Sequence, residues 1–255
     1  MRLIDTHAHL DFEDYDSDRF EVLKRAAAAG VEKIVNVGAD LAGSQRSVKL
    51  AQQYNELYAV VGIHPHAADT VNSDVLANLT QLAEQSVVKG IGEIGLDFYY
   101  DNSPREIQQV AFKKQLQLAQ KIDLPVIIHS REAAEETLAL LSEVGDFKEK
   151  LIFHCYSYGP DYIEELIKRD YYIAFGGMLT FKNAESVRQA LKKVPLNRLL
   201  LETDSPYLTP VPYRGQRNEP AYVKQVAEQA AQLKELPLAE LADLTTANAK
   251  RIYKL

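Results

Sequence analysis

Short apolar runs alternate with longer amphipathic stretches from one end of the chain to the other. Lys33–Val37, Leu57–Ile63, Val87–Ile94 and Pro125–Ile128 are rich in β-branched residues and too short for helices, which reads as buried strands. Leu3–Thr6, Leu151–Phe153, Tyr171–Phe175 and Arg198–Leu201 are of the same kind and complete a set of eight. The segments between them carry helical spacing. Asp18 reads as the cap of a helix with Phe20, Leu23 and Ala27 inward, and Gly30 ends it. Helices are expected at Ser44–Tyr54, Asp74–Ala83, Glu132–Val144 and Tyr162–Arg169. Ser103, Pro104 and Glu106 form a capping-box signature ahead of Ile107, Val110, Ala111 and Leu118. Val187, Ala190, Leu191 and Val194 recur at i, i+3, i+4, i+7, and Val223, Val226, Ala227 and Ala230 repeat the pattern. Leu238–Asn248 adds a final helix.

Eight strands, each followed by a helix, predict parallel pairing with right-handed crossovers. At 255 residues the chain suits a closed (β/α)8 TIM barrel, an α/β fold, as a single domain over 1–255. No glycine-rich nucleotide fingerprint follows any strand, which weighs against an open doubly wound sheet. No linker, repeat or low-complexity segment divides the chain.

Composition changes this picture little. Hydrophobic residues make up 46% and charged residues 25%, which is ordinary for a globular protein. A formal net charge of −7 argues against a surface coated in positive charge for nonspecific nucleic-acid binding. It leaves room for a local basic rim. The single cysteine, Cys155, rules out an intrachain disulfide and fits a reducing cytoplasm. Neither a signal segment nor a membrane-spanning run is evident. The expectation is a cytoplasmic protein with no membrane partner and no obligate protein partner.

The chemistry lies at the predicted strand ends. His7 and His9 project to one face if the first strand continues, as a pair of imidazole ligands would. His64 and His66 follow the third strand, Glu93 ends the fourth, His129 the fifth, His154 the sixth and Asp204 the eighth. The C-terminal ends of barrel strands converge on one mouth. Taken singly, a histidine at a strand end is more often structural; the accumulation at one rim points to metal. The expected assignment places His7, His9 and Asp204 on one divalent ion, His129 and His154 on another, and Glu93 between them. Two divalent ions (zinc, manganese, magnesium or similar, the ligands not selecting among them) activating a shared water is the chemistry of hydrolysis.

Leu3–Asp11, Gly62–His66, Gly92–Asp97, Pro125–Arg131, Leu201–Pro206 and Arg214–Pro220 together resemble the TatD-type metal-dependent hydrolases of the amidohydrolase-like barrel superfamily. The similarity runs the length of the chain, and every ligand position is filled. It implies a two-metal deoxyribonuclease with 3′ to 5′ exonuclease activity, Glu93 standing where many relatives carry a carboxylated lysine. It also implies that Asp204 is a metal ligand and proton acceptor. Glu93 and Asp204 are thus the expected catalytic residues, and single-stranded DNA ends the expected substrate. Arg131, Arg214 and Arg217 read as phosphate contacts beside Phe98, Tyr99, Tyr100, Tyr156, Tyr158, Phe181 and Tyr213. His64 reads as a substrate or orienting residue; Asp97 and Glu202 read as supports behind the histidines. Cys155 reads as a buried structural thiol facing away from His154. An amide or ester hydrolase, such as an aminoacyl-tRNA deacylase, would use the same ions. A noncatalytic metal-binding barrel is the remaining reading.

Overall fold

In the computed structural model, which describes residues 2–255, eight parallel strands form one sheet in sequential order. They are β1 (Leu3–Ala8), β2 (Val31–Val37), β3 (Leu57–Val61), β4 (Val88–Asp97), β5 (Val126–Arg131), β6 (Leu151–Phe153), β7 (Tyr172–Phe175) and β8 (Leu199–Leu201). The helices are α1 (Arg19–Ala28), α2 (Leu41–Gln53), α3 (Ser73–Ala83), α4 (Arg105–Ile122), α5 (Ala134–Val144), α6 (Ile163–Lys168), α7 (Glu185–Lys193), α8 (Val223–Lys234) and α9 (Leu238–Tyr253). A parallel bridge from Ala8 to Ser205 joins the first strand to the chain just past the last. The fold is a (β/α)8 TIM barrel.

Two apolar layers follow from strand alternation. Val35, Val37, Val60, Ile127, Ile152, Tyr172 and Leu200 face one way and pack with Ile252 and Tyr253 of α9. Their strand neighbours Ile34, Ala59, Val61, Val126, Ile128, Phe153 and Ile173 face the helices. The first set fills the barrel beneath the mouth, and Tyr253 donates to the Thr6 carbonyl at 3.2 Å. Such a filled interior leaves only the strand ends for chemistry.

Several expected local features differ. Asp18 precedes α1 but does not cap it; its carboxylate is taken by Arg217 at 2.8 and 2.9 Å. Ser103 does not cap α4; its hydroxyl donates to the His66 carbonyl at 3.1 Å. In both cases a tertiary partner outcompetes the local backbone donor. His64 and His66 follow β3 as expected, in a 3-10 segment made of Pro65–Thr70 and its cap.

Candidate metal centre

Two irregularities in the ladder aim the key side chains. Between Asp5 and Ala8, β1 advances three residues while β2 advances from Ile34 to Asn36. Between Ile91 and Ile94, β4 likewise gains one residue on β5. His7 lies in the first bulge and Glu93 in the second. An extra residue bends a strand and re-aims its side chain, so the strict alternation of the sequence pattern does not govern either position. Two glycines permit the second bulge. A Cβ on Gly92 would stand 2.8 Å from the Ile127 carbonyl oxygen, and one on Gly95, at φ +147°, 1.8 Å from that of His129.

Glu93 is the centre. Its Oε2 lies 3.4 Å from His7 Nε2 and 3.9 Å from His9 Nε2. Its Oε1 lies 2.5 Å from His129 Nδ1, 2.6 Å from His154 Nε2 and 3.6 Å from His64 Nε2. Asp204 Oδ1 completes the first side, 3.5 Å from His9 Nε2 and 3.9 Å from His7 Nε2. The carboxylate therefore turns one oxygen to His7, His9 and Asp204 and the other to His129 and His154. Burial pushes the Glu93 carboxyl up, but the surrounding imidazoles, His154 foremost, outweigh it and hold it well below the usual range. Burial opposes charge on His9 too, yet Asp204 and Glu93 carry its imidazole up to about 9. The cluster favours positive charge at its middle.

The donor set fits a divalent cation. His9 Nδ1–H donates to the Val37 carbonyl at 2.7 Å, so once the ring is neutral its lone pair sits on Nε2. His129 Nε2 faces Asp97 Oδ2 at 3.1 Å, which leaves Nδ1 for the centre. The Nε2 atoms of His7 and His9 converge to 3.2 Å, as two ligands of one ion do. His7, His9 and Asp204 form one group able to hold a metal, and His64, Glu93 and His129 another. Imidazole with carboxylate suits zinc or manganese.

Beside the cluster opens a pocket of about 890 Å³ lined in part by His64, His66, Asp97, Arg131, Tyr158 and Asp204. The Arg131 guanidinium sits 4.1 Å from the Tyr99 ring and 4.8 Å from that of Tyr100. Arg214 and Arg217 are engaged elsewhere. Arg214 stacks on Phe181 at 4.0 Å and donates to the Thr209 carbonyl at 3.1 Å. Arg217 joins Asp18 and covers the Tyr15 ring at 4.4 Å. Neither reaches the pocket wall. Glu202 is fully buried behind His154, with Oε1 3.4 Å from its Nδ1. Cys155 also departs from expectation. The strand ends at Phe153, Cys155 takes a left-handed φ of 43°, and it borders the pocket. Phe12, Met178 and Tyr207 line the pocket without having stood out in the sequence. Of these only Tyr207 carried a signal, lying three residues past Asp204 in the same loop.

A family model described as TatD related DNase matches residues 4–254. The chain is 45% identical over 253 residues to an uncharacterized metal-dependent hydrolase, YabD of Bacillus subtilis, covering 99% of each. It is 39% identical over 259 residues to YcfH of Escherichia coli K12, likewise an uncharacterized metal-dependent hydrolase, covering 100% of this chain and 97% of the relative. The crystal structure of YjjV, a TatD homolog from Escherichia coli K12, superposes with a TM-score of 0.94 at 34% identity, covering 100% of this chain and 98% of that one. With a barrel of the same fold and a ligand cluster at its mouth, this chain belongs to the TatD family and is a metal-dependent hydrolase.

Proposed function

We propose that the protein cleaves phosphodiester bonds at single-stranded DNA ends, from 3′ to 5′, with two divalent ions flanking Glu93. The observation that carries the two-ion reading is the Glu93 carboxylate, whose two oxygens face two different histidine pairs. His7, His9 and Asp204 would hold one ion, and His129 and His154 the other. When bound, such ions supply Lewis acidity at phosphoryl oxygens and activate water.

The chain's own groups do the rest. Asp204 is 14% exposed against 5% for Glu93, so it faces the open side and is the carboxylate placed to take a proton. His64 accepts the His66 N–H on Nδ1 at 3.1 Å. Its neutral ring therefore carries hydrogen on Nε2, which points into the cluster and can donate to a phosphoryl oxygen. Burial and the neighbouring His129 push this imidazole well below its ordinary range, which keeps it in that neutral form. Arg131, braced by two tyrosine faces, suits a phosphate with bases stacking nearby. The family model's description favours a DNA substrate. A confined pocket also suits a chain end better than the middle of a duplex.

The test is hydrolysis of end-labelled single-stranded DNA with manganese or magnesium, beside carbonyl ester and amide substrates. Stepwise release from the 3′ end, lost in both Glu93→Gln and Asp204→Asn, is expected. DNA cleavage that survives in both variants, or carbonyl hydrolysis lost in them while no DNA cleavage exists, overturns the proposal.

A further inference from the structure

Each of the four histidines assigned to the two ions, His7, His9, His129 and His154, has a second ring nitrogen, and two of these have a dedicated partner. His9 gives its Nδ1–H to the Val37 carbonyl, and His129 turns Nε2 to Asp97. His7 and His154 have none: the Nδ1 of each is buried without a hydrogen-bond partner. Their rings stack at 4.0 Å, tilted by 15°. Behind them lies Glu202, fully buried, whose Oε2 is also without a partner. One ligand atom from each of His7, His154 and Glu202 falls within 4.8 Å of the others. The Oε1 of Glu202 is pinned by the Cys155 N–H at 2.6 Å and lies 3.4 Å from His154 Nδ1.

We propose that Glu202 is a shared positioning residue, its two oxygens fixing one histidine from each side of the Glu93 bridge. This rests on the two-ion reading above. A neutral imidazole carries one N–H. With Nδ1–H directed at a carboxylate, the lone pair sits on Nε2, the atom that His7 and His154 turn toward Glu93. Without an acceptor behind, either ring is free to put its hydrogen on Nε2 and so close that position to a cation. His9 and His129 are each fixed by a separate group. His7 and His154 depend on one carboxylate, so both ion sites share a single support. A buried carboxylate with an unused oxygen is costly unless something compensates it. Two imidazole N–H groups supply that compensation.

The experiment is titration of zinc into metal-free protein against a chromophoric chelator, for the wild type, Glu202→Ala and Glu202→Gln, with the melting temperature of each metal-free form. Loss of a group that orients metal ligands lowers affinity about 10–100-fold. Glu202→Ala is expected to weaken both zinc-binding steps by that factor. Glu202→Gln retains one acceptor and is expected to weaken one step. The metal-free melting temperature of Glu202→Gln should stay close to wild type, since glutamine keeps the volume and the acceptor for the Cys155 N–H. Where Glu202→Ala does not fold, the amide variant decides. Wild-type affinity at both steps in Glu202→Gln, or a loss at one step only in a folded Glu202→Ala, overturns the shared role. Wild-type protein that takes up fewer than two zinc ions contradicts the two-ion reading itself, whereas two ions bound equally well by wild type and variants contradicts this inference alone.

Discussion

Replacing Asp97 by asparagine should disarm His129 without altering any of the side chains assigned to hold an ion. Asp97 Oδ1 accepts the backbone N–H of Tyr99 at 3.0 Å and of Tyr100 at 2.9 Å. Its Oδ2 faces His129 Nε2 at 3.1 Å and His66 Nε2 at 3.0 Å. All four neighbours are donors or act as donors here, and a carboxylate satisfies them. Asparagine has one oxygen. Turning its NH2 toward the two backbone N–H groups would strand two part-buried donors at up to about 1–3 kcal/mol each. The oxygen therefore stays with the backbone and the NH2 confronts the imidazoles. His129 must then accept on Nε2, which moves its hydrogen to Nδ1, 2.5 Å from Glu93 Oε1. That is the wrong tautomer for a ligand. A loss of about 10–100-fold in affinity for the ion that His129 is proposed to hold follows, equal to about 1.4–2.7 kcal/mol. Chelator competition reads the affinity. Hydrolysis at limiting and at excess metal reads the consequence, with activity lost at limiting metal and partly restored by excess. Wild-type affinity together with wild-type activity at limiting metal would refute the tautomer reasoning.

Four further outcomes are expected. Stripping divalent ions with a chelator should lower the melting temperature by about 10–20 °C, since each site held at 100-fold its Kd adds about 2.7 kcal/mol and each kcal/mol moves a chain of this size by about 2–4 °C; calorimetry with and without chelator measures it. Gly95→Ala should cost about 3 kcal/mol or more and abolish turnover, because the new Cβ would meet the His129 carbonyl at 1.8 Å in a left-handed backbone; denaturant unfolding and an activity assay check both. Arg217→Ala should leave KM for the proposed DNA substrate within about twofold and cost about 1 kcal/mol of stability, since its partner is Asp18 rather than a ligand in the pocket. Phe112→Ala, at a fully buried position behind β4, should cost about 3–5 kcal/mol and leave kcat of the folded enzyme unchanged.

Much of the barrel is visible in its apolar runs because every strand is buried on both faces. Leu151–Phe153 coincides with β6, and the other strands are displaced by a few residues at their ends. Those ends are where the periodicity argument weakens. β4 extends to Asp97 because Gly92 and Gly95 let it lie against β5, and nothing in a hydrophobic pattern records that approach. The caps expected at Asp18 and Ser103 followed from local chemistry, and partners distant in sequence took those side chains instead. The gathering of His7, His9, Glu93, His129, His154 and Asp204 could be expected from topology alone, since strand ends of a barrel share one mouth. Their directions could not, because the bulges at His7 and Glu93 break the alternation. Arg131 and Arg217 show the same gap at the rim. Arg131 ends β5 and Arg217 lies in the loop after β8, yet one lies on two tyrosine rings beside the pocket and the other binds α1's leading aspartate. Charge in a loop is legible from sequence; its partner is not.

The proposed bridging role of Glu93 is tested most directly by an anomalous-scattering map of crystals grown with manganese. Two peaks about 3.5–4 Å apart, one on each side of the Glu93 carboxylate, are the expected result. One of them should touch His7, His9 and Asp204, and the other His129 and His154. A single peak, or two peaks with Glu93 on neither, contradicts it.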